Sequence, residues 1–135
     1  MKKGKSINKE VIKLKLKEIE KVYGLIKNWK LHTIGWDHYI IEIDKKYMFR
    51  FVRDKKDIPQ FKRERNFLKE FIKISPISVP DYKYWGKDFG GYKKIIGKEF
   101  TKNIQNSLSK KQKIKVAKQI SSFLKILHSF KPKRN

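Results

Sequence analysis

Three short β-prone runs lie almost end to end in the chain: Lys30 to Ile34, Tyr39 to Ile43 and Tyr47 to Val52, all rich in Ile, Tyr or Phe. Only Gly35-Trp36-Asp37-His38 separates the first from the second, and only Asp44-Lys45-Lys46 the second from the third. A parallel crossover needs about a dozen residues or more, so these connections restrict the three runs to an antiparallel meander. In the third run Tyr47, Phe49 and Phe51 alternate with Met48 and Arg50, which predicts that most of the aromatic set faces a core.

Helical patterns flank the meander. From Asn8 to Val22, Val11, Ile12, Ile19 and Val22 recur among lysines and glutamates, and Gly24 ends the segment. Asp57 and Pro59 supply a cap acceptor and a first-turn proline, predicting a helix from Pro59 to Lys73 with Phe61, Phe67, Leu68, Phe71 and Ile72 on one broad face. Pro76 and Pro80 close it. Two more strands are expected at Val79 to Trp85 and Tyr92 to Ile96, with a turn over Lys87-Asp88-Phe89-Gly90-Gly91. Ser109-Lys110-Lys111-Gln112 reads as a capping box, followed by an apolar stripe of Val116, Ala117, Ile120, Phe123, Leu124 and Leu127. The predicted class is α+β: a five-stranded antiparallel sheet with a packed helix, plus an N-terminal and a C-terminal helix.

Composition narrows the function classes. The chain has 135 residues, 39% of them hydrophobic, which suits one folded domain and not a disordered tail. No apolar run approaches the roughly 18 residues that a membrane span needs, so a cytoplasmic protein is expected. There is no cysteine, and His32, His38 and His128 carry no ligand spacing, so no metal site is predicted. The formal net charge of +23 invites a lysine-rich nucleic-acid-binding module as the alternative reading. Arginine, however, occurs only at Arg50, Arg53, Arg63, Arg65 and Arg134, and the lysines are spread from end to end. Such a surface attracts polyanions non-specifically and in a salt-dependent way.

Four segments in the meander and the elements after it, together with the last helix, carry a resemblance to a known family. They are Ile34-Gly35-Trp36-Asp37-His38-Tyr39, Tyr47-Met48-Phe49-Arg50-Phe51, Arg63-Glu64-Arg65-Asn66-Phe67-Leu68 and Gly91-Tyr92-Lys93-Lys94-Ile95-Ile96-Gly97. With Phe123-Leu124-Lys125-Ile126-Leu127-His128-Ser129, they resemble, in order and spacing, the N-terminal lobe of aminoglycoside phosphotransferase-like kinases (the choline and aminoglycoside kinase type). The resemblance implies a protein-kinase-like small lobe. Its nucleotide site would comprise Gly35, Trp36 and Asp37 in the first turn, Arg50 as the phosphate-contacting cation, Glu64 as its partner, and Lys94, Ile95 and Ile96 at the hinge. Intact relatives move the γ-phosphate of ATP or GTP, with Mg, to a hydroxyl of an aminoglycoside or similar small molecule, hence an expected link to antibiotic resistance.

The departures are specific. Thr33 stands where the family turn has its first glycine, and Arg50 where kinases in general use lysine, a planar fork in place of a point charge. The family's His-Gly-Asp segment with its later Asn does not occur in the sequence, so no catalytic residue is assigned. Asp88-Phe89-Gly90 copies a magnesium-binding triplet but lies before the hinge and after no catalytic loop, so it reads as a turn. The expected organisation is an N-terminal helical segment (1–28), the nucleotide-binding lobe (29–97), a linker with one large-lobe-type helix (98–130) and a polar tail (131–135). The chain is thus expected to be truncated and inactive alone, with the missing large lobe or self-association through the 109–129 helix covering the apolar stripe.

Overall fold

The computed structural model describes residues 8–32 and 38–132. In chain order it contains α1 (Lys9–Tyr23), β1 (Trp29–His32), β2 (His38–Ile43), β3 (Tyr47–Val52), α2 (Ile58–Phe71), β4 (Tyr82–Trp85), β5 (Phe89–Lys93), α3 (Lys102–Ser107) and α4 (Lys110–Ser129). The five strands form one antiparallel sheet in the order β1-β2-β3-β5-β4, so the expected α+β class and meander are both present. The chain divides into two compact units, residues 1–65 with 81–94 and residues 66–80 with 95–135.

In the sheet unit the core lies on one face. Ile41, Ile43, Phe49, Phe51 and Phe89 are buried there together with Ile19 of α1, and Leu16, Tyr23 and Tyr84 pack around them. Tyr23 meets the rings of Tyr47, Phe49 and Tyr84 edge-on, at 5.5, 6.0 and 5.6 Å between centroids. Burying each large apolar side chain contributes about 1.5–3 kcal/mol, so this cluster is the main source of the unit's stability. The turn between β2 and β3 is held by Asp44, which with Lys45 adopts left-handed backbone (φ 51° and 58°). Its carboxylate accepts from the Lys27 and Asn28 amides at 2.9 and 2.8 Å and from the Tyr23 hydroxyl at 2.7 Å. The Asn28 amide and the Tyr23 hydroxyl lead in holding the Asp44 carboxyl below the usual range. The same bond, first among its causes, pushes the Tyr23 phenol up to about 12. One short side chain thereby ties the end of α1 and the lead into β1 to the hairpin.

The expected turn at Lys87–Gly91 needs correction. Gly86 N–H donates to Phe89 O at 3.0 Å, and β5 already begins at Phe89, ending at Lys93 rather than Ile96. Adjacent glycines ordinarily weaken a strand. Here rings occupy the space that side chains would need: a Cβ on Gly91 would lie 2.5 Å from the Phe49 ring, and one on Gly90 2.6 Å from the Tyr82 ring. Other differences are smaller. β1 begins at Trp29, one residue before the expected start, and the expected end at Ile34 lies outside the described residues. β4 begins at Tyr82, not Val79, and α3 was not foreseen; Thr101 caps it by accepting from the Ile104 amide. A 3-10 turn at Lys55–Asp57, capped by Asp54 rather than Asp57, leads into α2.

In the helical unit the buried ring is Phe71, met by Phe67 at 5.3 Å, Phe123 at 5.7 Å and Phe130 at 5.5 Å. The capping box at the start of α4 is complete. Ser109 Oγ accepts from the Gln112 amide at 3.2 Å, and Gln112 Oε1 accepts from the Ser109 amide at 2.8 Å. No residue of α4 is buried, and Ile114 and Ile120 keep 48% and 49% of their surface.

Candidate functional site

The face of the sheet away from α1 carries the polar side chains. Phe49 and Phe51 point into the core, so Arg50 and Met48 point the other way. Register places Ile40, Arg50 and Gly90 in one row across β2, β3 and β5, and Glu42, Met48 and Tyr92 in the next.

Arg50 is the centre of the first cluster. Its Nη1 donates to Glu64 Oε1 at 2.6 Å and reaches the Tyr82 hydroxyl at 3.4 Å, while the guanidinium lies 5.7 Å from the centre of the Phe61 ring. Each partner comes from a different element: Glu64 and Phe61 from α2, Tyr82 from β4. A bulge between Tyr82 and Tyr84 makes the β4 contribution possible. Regular alternation would put both tyrosines on one face, but the extra residue turns Tyr82 toward Phe61 and Arg50 while Tyr84 stays with Phe49. Burial opposes the Arg50 charge, yet the bonds to Glu64 and Tyr82 outweigh it and raise its basicity. Burial pushes the Tyr82 phenol up to about 12 against the lowering effect of Arg50, so this hydroxyl stays protonated at neutral pH.

Glu42 anchors the second cluster and is 7% exposed. Lys94 Nζ donates to its Oε1 at 2.6 Å, and His32 Nε2 lies 3.7 Å from the same oxygen. The Lys94 bond, against the opposing effect of burial, holds the Glu42 carboxyl below the usual range. Lys94 is also fixed through its main chain, whose N–H donates to Lys46 O at 2.8 Å. Nothing in the resemblance pointed to Glu42. The signal available in the sequence is that it is the only charged residue in the run from Tyr39 to Ile43, within a strand paired on both sides.

Of the residues assigned from sequence, Arg50 and Glu64 are brought together and Lys94 is joined to Glu42. Ile95 and Ile96 follow β5 in the irregular stretch before α3, with Ile96 almost fully exposed. Gly35, Trp36 and Asp37 lie outside the described residues. Asp88 sits in the turn before β5, accepting from Lys15 Nζ at 2.8 Å while its main-chain oxygen accepts from the Val52 amide. Among the described residues no group of three His, Asp or Glu side chains could hold a metal ion.

A twisted five-stranded antiparallel sheet, with a cation on its third strand paired to a glutamate of the following helix, is the small lobe of the protein-kinase-like fold. Solved aminoglycoside phosphotransferases share this architecture with the chain. The GDP complex of wild-type aminoglycoside 2'-phosphotransferase-IIIa superposes with a TM-score of 0.79 at 20% identity, over 93% of this chain and 43% of that one. ADP-bound APH(2'')-Ib gives 0.69 at 24% identity, over 94% and 42%. The streptomycin–ATP ternary complex of APH(2'')-IIa gives 0.67 at 22%, also over 94% and 42%. The chain therefore spans less than half the length of each, and the likeness is one of fold. No protein-family model and no curated protein matches the sequence.

Proposed function

We propose that this chain is the nucleotide-binding lobe of a small-molecule kinase of the aminoglycoside phosphotransferase type, and that it engages ATP or GTP weakly. The single observation that carries this reading is the Arg50–Glu64 pair, at 2.6 Å on the face of the sheet away from the core. A guanidinium oriented by a carboxylate is suited to bidentate contact with phosphate oxygens, and Glu64 with Tyr82 fixes which way it points. The solved structures of similar fold include GDP, ADP and ATP complexes, which supports a nucleotide as the ligand. Gly35, Trp36 and Asp37 would complete the phosphate turn, and the main chain at Lys94, Ile95 and Ile96 would read the base. Glu42 has the further role of securing Lys94 where the chain leaves β5.

The sequence contains no His-Gly-Asp segment with a following Asn. A positioned base and a magnesium cage would therefore come from residues other than those described, and the chain alone transfers no phosphate. The nucleic-acid alternative gains little support. Trp29 of β1 is half exposed, but Tyr47, Phe49, Phe51, Tyr82, Tyr84 and Phe89 are packed against one another or their neighbours, and Arg53 and Arg65 lie over the Tyr39 and Trp85 rings at 5.0 and 4.0 Å.

The test is calorimetric titration of ATP and GTP into the wild type, Arg50→Ala, Arg50→Lys and Arg53→Ala at low and high salt. Loss of a charge-assisted phosphate contact predicts about tenfold weaker binding for Arg50→Ala, partial recovery in Arg50→Lys, and little change for Arg53→Ala. Equal losses in Arg50→Ala and Arg53→Ala, or no binding by the wild type at millimolar nucleotide, would remove the basis of the assignment.

A further inference from the structure

Lys94 crosses the polar face of the sheet. It follows β5, yet its Nζ donates to Glu42 Oε1 on β2 at 2.6 Å, and β3 lies between those strands. Neighbouring strands lie about 4.8 Å apart, so the Lys94 stem runs flat over β3 to reach its partner. Main-chain pairing puts Lys94 level with Lys46, and register puts Glu42 level with Met48. The ammonium therefore lies on the face that carries Arg50, two to four residues or roughly 7–13 Å along β3 from it. In an extended nucleotide with its phosphates at Arg50, that is where the base falls. We propose that Lys94 is a specificity-determining residue of the nucleotide site, its ammonium selecting a purine with an oxygen at position 6 over one with an amino group there. The inference rests on the nucleotide-lobe reading above and adds which base the lobe prefers.

An ammonium has three donors and no acceptor. Glu42 takes one donor, and 43% of the Lys94 side chain is exposed, which leaves the others within reach of a ligand. Guanine presents O6 and N7 side by side, both acceptors, the pair that lysine and arginine bind in guanine. Adenine presents N7 beside an N6 amino group, which sets donor against donor. The carboxylate does not reverse this preference. Its side chain is 9% exposed, Oε1 already accepts from Lys94, and His32 Nε2 lies 3.7 Å from the same oxygen. Glu42 instead orients the lysine: it holds Nζ against the sheet, so a base lying along the Met48 row meets the ammonium at a fixed place. Lys93, one residue earlier, is turned to the other face by strand alternation and takes no part.

The experiment titrates GTP, inosine triphosphate and ATP calorimetrically into the full chain, as wild type, Lys94→Met, Lys94→Arg and Lys93→Met. Inosine triphosphate keeps O6 and N7 but lacks the 2-amino group of guanine, so it separates the Lys94 contact from contacts to the rest of the base. Wild type should bind GTP and inosine triphosphate about tenfold tighter than ATP. Lys94→Met should lose that margin by weakening the two 6-oxo nucleotides more than ATP. Lys94→Arg, whose guanidinium also donates to O6 and N7, should keep it, as should Lys93→Met with the same loss of charge. Circular dichroism checks that each variant stays folded, and the wild-type and Lys94→Arg ratios decide the matter even if Lys94→Met does not fold. A wild type that binds ATP as tightly as GTP, inosine triphosphate that behaves like ATP, or a margin that survives in Lys94→Met would overturn the inference and leave the nucleotide lobe standing. Binding of none of the three would remove the lobe reading and this inference with it.

Discussion

In the sheet unit, aromatic rings from α1, β3, β4 and β5 interlock, and the charged side chains near them have named partners: Arg50 with Glu64, Lys94 with Glu42, Lys15 with Asp88. In the helical unit, a helix of 20 residues carries six lysines, no acid and no buried residue. The first region buries most of its rings and pairs most of its charges, leaving Glu18 Oε2, His32 Nε2 and Arg53 Nε without a hydrogen bond. The second satisfies its backbone through a full capping box and packs Phe123 on Phe71, but keeps Ile114 and Ile120 about half exposed. Two stretches of similar hydrophobic content thus differ in how much of that content each buries.

Core truncation should separate the regions most widely. Phe49→Ala removes a ring at the centre of the sheet cluster and should lower stability by about 3–5 kcal/mol in urea unfolding. Ile114→Asn, on the exposed helix face, should change it by no more than about 0.5 kcal/mol. Comparable losses would mean that α4 contributes core after all. A smaller effect is expected from Gly91→Ala, whose added methyl group meets the Phe49 ring; about 1–3 kcal/mol is the usual penalty for overpacking. A neutral Gly91→Ala would show that the ring can retreat, and that the sheet is less tightly packed than the helical unit is loose.

The gentlest probe is pH. The Glu42 carboxyl lies below its ordinary value of about 4.3 in the folded chain, so its contribution is complete above that value. It is lost as pH falls through the lower folded value. The stability gap between wild type and Glu42→Gln should be widest near neutrality and close progressively below about pH 4. A gap that is flat with pH would mean that Lys94 and Glu42 contribute by packing alone.

Much of this was legible in the residues. β3 runs from Tyr47 to Val52 as its alternation predicts, because an alternating aromatic run has one way to bury its rings. The Ser109–Gln112 box is a local interaction and formed as read. Gly90 and Gly91 are turn residues by local preference, so the sequence starts β5 too late; what keeps them in a strand is the position of Tyr82 and Trp85 on β4 and of Phe49, far off in sequence on β3. Arg50 and Glu64 stand out only through the family resemblance, since a spacing of strand and helix residues alone does not select one ion pair. Glu42–Lys94 and the Tyr82 bulge depend on register across three strands, which no local pattern specifies.

The glycine pair has a consequence for solvent access. β5 is flanked by β3 on one side and β4 on the other, and at Gly90 and Gly91 rings lie directly against the peptide plane on opposite faces. Water can reach those amides only when β4 or β3 detaches. Their deuterium uptake should therefore follow global unfolding rather than local fraying, which makes this side-chain-free stretch the slowest clock in the sheet.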